Sequence, residues 1–491
     1  MFYKSEFDLK PPENKELPNK NYNREKNESS KKILNVKETF LEWSKSVDIN
    51  CYTKMIDYRG NYFIQFIWLL ILFGSTGGTF YLISKSLIDY LKYEVTSQIE
   101  IIDEAPAKFP AITFCDSNPF SSIKAQEFMQ NISLLYNITN ESTYSNRKLI
   151  YNLARIQASS KKFDFNDRIL FKPPIEIWCE FKSKNCIDGL NWYWSYEYGN
   201  CFQFNSGFNV SNQSIDFVDV AREGKDFGVT LGWFPLVNLN NFLSTGARGL
   251  VVFVHNNTFK PNEEVFIEAG KMSYISVKRK KTKKYPSPYS DCIDLNTYKS
   301  DLFEYIKKSN KTYRRKDCVE LCIQRQIIEK CSCYFTGYDD MKTDSRPCLS
   351  LEDLSCLEEN FSNFNLETCQ TNSCPLECDS ISYDLTLSSL EYPDEFIFEK
   401  VFNNQYMKNW YLEKFNLNMS YNLVKSNYAS VTVYYPSLQY EQISESPKTQ
   451  IIDLFTQIGG ALGMFVSFSI FTIFELIEIF LLILKGLISK P

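Results

Sequence analysis

The chain has 491 residues, with 54 basic and 59 acidic side chains and a formal net charge of -5. An excess this mild makes no electrostatic case for nucleic acid, and none is expected as a partner. Aromatic residues make up 16% and apolar residues 44%, enough for a substantial core. The slightly polar mean hydropathy averages two apolar blocks near the ends with a long polar middle.

Residues 1–62 read as a tail on the cytosolic side. The first 37 are rich in Lys, Asn, Glu and Pro, and MFYKSEFDLK lacks the apolar run of a cleavable leader. A first membrane helix is expected over 63–84. Its charge-free part, Phe63–Ile83, is about 21 residues, which at about 1.5 Å each crosses a hydrocarbon layer of about 30 Å. Gly74, Gly77 and Gly78 predict close helix packing.

The segment 85–450 is expected outside the cell. It carries 14 of the 15 cysteines; only Cys51 lies elsewhere. An even count in an oxidising compartment predicts seven disulfides, with the connectivity left open by spacing. Nine Asn-x-Ser/Thr sequons fall in the same segment, at Asn131, Asn137, Asn140, Asn209, Asn212, Asn256, Asn310, Asn360 and Asn418. Residues 121–170 show helix-like patterning. His255, the one histidine, is expected as a structural residue at a strand end. VKRKKTKKY, with six Lys or Arg between 278 and 284, reads as a solvated loop, the alternative being a protease-activation site. Ser430–Ile443 alternates as one strand leading into the next membrane segment.

That second span is expected over 451–484, with 485–491 as a short cytosolic tail. Leu454–Leu484 holds two ionisable residues, Glu475 and Glu478. As one straight helix it would reach about 46 Å, so it either tilts steeply or breaks, and the glycines and serines of GGALGMFVSFS mark where. Lys45, Lys54, Arg59, Lys485 and Lys490 flank the two spans and place both termini in the cytosol. A carboxylate at mid-membrane costs at least about 2.5 kcal/mol, so Glu475 and Glu478 should not face lipid. Three apart, they share a helix face, and Thr472 and Ser469 continue the step upstream. Such a winding polar row suits a cation pathway. One span per chain cannot enclose a pore, so symmetric assembly is required.

Several motifs stand in order along the chain: FPAITFCDSNPF (Phe109–Phe120), YGNCFQFNSG (Tyr198–Gly207), GLVVFVHN (Gly249–Asn256), YPSPYSDC (Tyr285–Cys292), the cysteine row from YRRKDCVELC to CPLEC, and GGALGMFVSFSIFTIFELIE. Together, over about residues 38–480, they resemble the degenerin and epithelial sodium channel family, which includes acid-sensing and peptide-gated channels. The resemblance implies an α+β membrane protein with two transmembrane helices and a large disulfide-rich ectodomain, built of a β-sheet palm with helical thumb and finger regions. It implies a homo- or heterotrimer in the lipid bilayer of the plasma membrane, amiloride-sensitive in type. Such a channel passes sodium passively, is not an enzyme, and needs no cofactor beyond the permeant Na+ ion. A proton or a neuropeptide is the implied kind of extracellular ligand.

The resemblance also implies the pairs Cys115–Cys201 and Cys179–Cys186, and a nested thumb ladder of Cys292–Cys378, Cys318–Cys374, Cys322–Cys369, Cys331–Cys356 and Cys333–Cys348, holding two antiparallel helices that make few apolar contacts. It places the selectivity filter at Ser467, Phe468 and Ser469. Pore and gate positions are Thr456 or Gln457, with Gly459, Gly460, Gly463, Thr472, Glu475 and Glu478. Tyr289 and Tyr90 form the joint between thumb and membrane helix. No metal site is implied.

Three departures from the family pattern stand out. The filter reads Ser-Phe-Ser, where Ser467 replaces a glycine of greater backbone freedom. The cytosolic His-Gly motif is replaced by Asn50 and Cys51, and a Cys-x-Cys near the end of the ladder is spread to Cys369 and Cys374. These predict only a moderate preference for sodium over potassium. The alternatives are an accessory subunit that needs a partner to conduct, or a membrane-tethered receptor without a pore.

Overall fold

The computed structural model describes residues 60–138, 143–160, 163–171, 176–208, 213–234, 249–257, 260–261, 263–295, 298–308, 312–367, 369 and 373–467, and beyond these 469, 472–474, 477–478, 480–481 and 484. The chain divides into two compact units, residues 92–449 and the two flanking ends.

The end unit is helical. Tyr62–Leu91 is a helix of 30 residues, the one helix among the described residues long and apolar enough to cross a membrane. It passes the expected boundary at residue 84, because SKSLIDYL contains no helix breaker. Of the three glycines, Gly78 lies against the Phe465 ring, whereas Gly74 and Gly77 face open space. The second apolar helix, Ile451–Val466, has 16 residues, about 24 Å, and by itself falls short of the hydrocarbon thickness.

The larger unit is built on two sheets. The first has eight strands, in the order Val95–Asp103, Gln439–Pro447, Lys271–Lys283, Ala429–Tyr434, Val229–Phe234, Glu176–Phe181, Lys184–Asn185, with Asp379–Glu391 pairing Lys271–Lys283 along its other edge. The second has five strands, in the order Glu264–Glu268, Gly249–His255, Ala111–Asp116, Gly199–Phe204, Leu190–Ser195. Ile112, Phe114, Leu250 and Val252 from one sheet and Leu231, Trp233, Ile275 and Val431 from the other share one core. Gly249–His255 is buried along its whole length, as its continuous apolar run requires for a central strand covered on both faces. His255 closes that strand as a structural residue: its Nε2 lies 2.9 Å from Thr113 Oγ1 and its Nδ1 2.9 Å from the Asn256 carbonyl oxygen.

Two expectations need correction. VKRKKTKKY is not a loop: up to Lys283 it belongs to the long strand Lys271–Lys283, which pairs Asp379–Glu391 on one side and Gln439–Pro447 on the other. Three of its charges meet neighbours. Arg279 is buried in an ion pair with Glu104 and sits 4.7 Å from the Tyr440 ring centre, Lys281 lies 3.9 Å from that centre, and Lys280 meets Asp384 at 2.5 Å. A strand hydrogen-bonded on both sides offers no site to a protease. Ser430–Ile443 is likewise two strands, Ala429–Tyr434 and Gln439–Pro447, each parallel to a different half of Lys271–Lys283. Pro436 in the intervening turn lacks the amide a continuous strand would need.

Residues 121–170 form the helices Ile123–Leu135, Tyr144–Ala158 and Phe165–Ile169. The cysteine-rich region carries Asp301–Lys308, Arg315–Cys331 and Leu351–Ser362. These helices are not short of apolar contacts: Ile323, Ile327, Leu354 and Leu357 share a core with Met129, Ile150 and Leu153 of the first group, and Leu302, Phe303 and Leu321 make another. The ladder therefore braces a region that already has a core.

Candidate functional site

The second apolar helix begins where Asp453 Oδ2 accepts the Gln450 backbone N–H at 3.0 Å. Thr456, Gln457, Gly459, Gly460 and Gly463 all lie within it, largely open to the surface of the single chain, while Leu454 and Ala461 are its buried positions. A Cβ added at Gly459 or Gly460 would meet no atom within 4 Å.

The helix stops at Val466. Ser467 takes a left-handed conformation with φ 57°, and its N–H reaches the Leu462 carbonyl. Ser469 lies outside the helix, its N–H donating to Thr472 Oγ1 at 3.2 Å, and helix resumes at Thr472–Phe474. The interruption thus falls at the glycine- and serine-rich stretch. It turns the Ser467 and Ser469 N–H groups away from the carbonyls of Gly463 and Phe465, which a continuous helix would give them.

The polar row needs revision. Ser469 is not helical, so the three-residue step begins at Thr472, and the Thr472 side chain is buried at 2% exposure and turned to Ser469. Glu478 is exposed on the resumed helix; Phe468 and Glu475 lie outside the described residues.

In the larger unit all seven cysteine pairs implied by the resemblance are joined: Cys115–Cys201, Cys179–Cys186, Cys292–Cys378, Cys318–Cys374, Cys322–Cys369, Cys331–Cys356 and Cys333–Cys348, with Cα separations between 4.4 and 6.1 Å. The Cys292–Cys378 bridge ends in the turn Tyr285–Cys292. Ser290 Oγ donates to the Tyr285 carbonyl at 2.6 Å and closes that turn, and the Lys284 N–H is held by the Cys378 carbonyl at 2.8 Å.

Two contacts carry the turn outward. The Tyr289 ring stands edge-on to Tyr93 at 5.3 Å, and the Tyr285 N–H donates to Glu445 Oε2 at 3.1 Å. Tyr93 shortly precedes the strand Val95–Asp103, and Glu445 belongs to Gln439–Pro447; these two strands pair from Val95↔Pro447 to Asp103↔Gln439. Lys92, Tyr93 and Glu94 alone separate the first helix from its strand, and Lys448, Thr449 and Gln450 alone separate the other strand from the second helix. Tyr93 thus meets the Tyr289 ring, and Tyr90 sits in the last turn of the first helix. Tyr93 was missed in the sequence, where the aromatic residues before the strand were the available signal.

The sequons separate by burial. Asn131, Asn137 and Asn418 are exposed and Asn256 is half-buried, while Asn140, Asn209, Asn212 and Asn310 lie outside the described residues. Asn360 is 4% exposed on the inner face of Leu351–Ser362, with neither amide atom reaching solvent. A glycan cannot grow from that position in the folded chain.

An apolar helix, a second apolar helix broken by a left-handed serine, and a disulfide-braced two-sheet unit between them define a membrane protein with a large globular domain. A sequence model of the family described as amiloride-sensitive sodium channel matches residues 43–479, and the chain belongs to that family. It is 24% identical to the bile acid-sensitive ion channel of Homo sapiens over 84% of this chain and 80% of that protein. It is 23% identical to the FMRFamide-activated amiloride-sensitive sodium channel of Cornu aspersum over 84% and 78% respectively. With degenerin deg-1 of Caenorhabditis elegans it shares 26% identity over 73% of this chain and 44% of that one. The family consists of ion channels of the plasma membrane that form multimeric assemblies, not of enzymes.

Proposed function

We propose that this chain is one subunit of a trimeric, sodium-permeable cation channel of the plasma membrane, opened by a stimulus on its extracellular domain. Both termini lie in the cytosol, and residues 451–484 of the subunits together surround the pathway. The observation that carries this reading is the interruption of the second apolar helix at Ser467–Ser469. A break in a membrane helix is tolerated where the freed backbone lines a water-filled path, and carbonyl oxygens there replace part of an ion's hydration shell. Gly459 and Gly460, open in the single chain, permit close approach of neighbouring copies above the break. Glu475 and Glu478 supply negative charge at the inner mouth, where cations are drawn in.

Gating follows from chain continuity. The ladder and its core form the lever that resembles the family's thumb. Movement of that lever shifts the Tyr285–Cys292 turn, and the turn pulls on Tyr93 and Glu445 together, so both strands leading to the membrane helices respond at once. Relatives named for bile acid and for FMRFamide support an extracellular ligand as the stimulus.

Expression in oocytes under voltage clamp tests the reading, with sodium and potassium exchanged in the bath and amiloride applied. A cation current with a sodium-to-potassium permeability ratio below about ten is expected, because Ser467 holds the filter less closely than glycine would. A ratio far above that contradicts the filter assignment, and an anion current contradicts the whole reading.

A further inference from the structure

A cavity of about 450 Å³ opens in the larger unit between the eight-stranded sheet and the helices that follow residue 392, and none of the pore or joint residues lines it. It is built around one glycine. Trp178 and Gly232 face each other on the strands Glu176–Phe181 and Val229–Phe234, and Tyr428 immediately precedes Ala429–Tyr434. A Cβ at Gly232 would come within 2.9 Å of the Tyr428 hydroxyl and 3.3 Å of the Trp178 ring, so the missing side chain lets both aromatics close over the strand.

Tyr392 and Phe402 extend the aromatic wall. The Tyr428 ring centre lies 5.4 Å from that of Tyr392 and 5.3 Å from that of Phe402, with the planes inclined at 42° and 70°. Tyr392 and Phe402 incline to each other at 74°. Rings set at such angles wall a space instead of stacking on one another. Met407, from the helix Gln405–Phe415, adds a polarisable thioether.

Charge selects the occupant. Burial, then the Asp394 charge, push the Tyr392 hydroxyl up, and burial does the same to Tyr428, so both stay neutral phenols with electron-rich rings. Asp394 is exposed, accepts the Ile397 N–H at 2.7 Å and ends no ion pair among the described residues. The neighbouring lysines are turned to other rings. Lys425 is held by Glu391 at 3.3 Å and lies 5.7 Å from the Tyr421 ring centre, and Lys400 lies 5.9 Å from that of Phe396. Among the described residues no Lys or Arg lies over the Trp178 or Tyr392 ring.

Aromatic walls beside an unbalanced carboxylate repel an anion and attract a cation. A sodium or potassium ion would lose water that the rings do not replace, whereas an ammonium clothed in alkyl groups gives up little hydration. We propose that this cavity binds a small organic ammonium bearing apolar substituents, its charge seated among Trp178, Tyr392 and Tyr428 with Asp394 supplying the balancing field. The test reads binding and not current, so the proposal stands or falls separately from the channel reading.

The full chain, in nanodiscs whose lipids carry no quaternary ammonium, is titrated with choline and followed by saturation-transfer NMR, empty nanodiscs giving the baseline. The uncharged analogue, in which a tert-butyl group replaces the trimethylammonium, is titrated in parallel. Saturable choline binding is expected, about ten-fold tighter than that of the analogue. Trp178 is 46% exposed, so its replacement spares the core; W178L should weaken choline about five-fold, and W178Y, which keeps a ring, about two-fold. D394N keeps the helix cap and should weaken choline about three-fold while leaving the analogue unmoved. If W178L fails to fold, D394N and the choice between choline and its analogue carry the test. Absence of saturable choline binding, equal affinity for choline and the analogue, or choline affinity unmoved by W178L or by D394N each overturn the proposal.

Discussion

Ser467 concentrates the strain of the break in one residue. A side chain in the left-handed region costs roughly 1–2 kcal/mol that glycine does not incur. Ser467→Gly is therefore expected to keep the interruption, raise thermal stability by about 1 kcal/mol and increase the sodium preference of the current. A loss of stability or a fall in the permeability ratio counts against the assignment of the break to this residue. The aromatic joint makes a second prediction at this scale. Tyr93→Ala and Tyr289→Ala should each reduce current at matched surface expression, and the double variant should be milder than their product by about 0.5–1.5 kcal/mol in the opening equilibrium. Strict additivity shows that the rings do not act on each other.

Among the elements, the helix Leu351–Ser362 has a pH-sensitive start. Arg346 grips Asp353 with two hydrogen bonds of 2.7 Å, and the Leu349 and Ser350 N–H groups donate to the same carboxylate. The Arg346 pair, then those backbone bonds, hold the Asp353 carboxyl well below its ordinary value of 3.8. Its folded pKa is depressed, so the stabilisation is complete above that ordinary value and is lost as pH falls further below it. The thermal midpoint of the intact chain should drop more steeply below about pH 3.8 than that of Asp353→Asn, measured by a thermal-unfolding series. Parallel curves contradict the account.

What was legible in the sequence varied by element. The apolar helices, the even number of cysteines and the pattern of residues 121–170 announced themselves, because each depends on local composition or period, whereas the cysteine pairing came only from the family resemblance. The strand Lys271–Lys283 did not. Six basic residues in seven positions mimic a solvated loop, and only partners brought from Glu104, Asp384 and Tyr440 make the strand stable. The two-strand split of Ser430–Ile443 was signalled by Pro436, a weaker mark than the alternation around it. Asn360 shows the same limit, since a sequon carries no information about which helix face it occupies.

At the scale of the molecule, the break in the second apolar helix is useful only if several copies bring their carbonyls to one axis, and the ladder is useful only if its turn moves both strands that enter the membrane. The second condition rests on the short connections at either end of the large sheet. The proposed assembly predicts that the stretch from Ser467 to Glu478 is water-accessible and that Phe63–Ile83 largely faces lipid or its partner helix.

The most direct measurement is a cysteine scan of residues 463–478 under voltage clamp, in a Cys51→Ser background, with a small cationic thiol reagent applied from either side. Reagent-induced block at Ser469 and Glu478, with protection by permeant sodium at Ser469, is the result the account predicts. Currents untouched by reagent at every position of that stretch would contradict it.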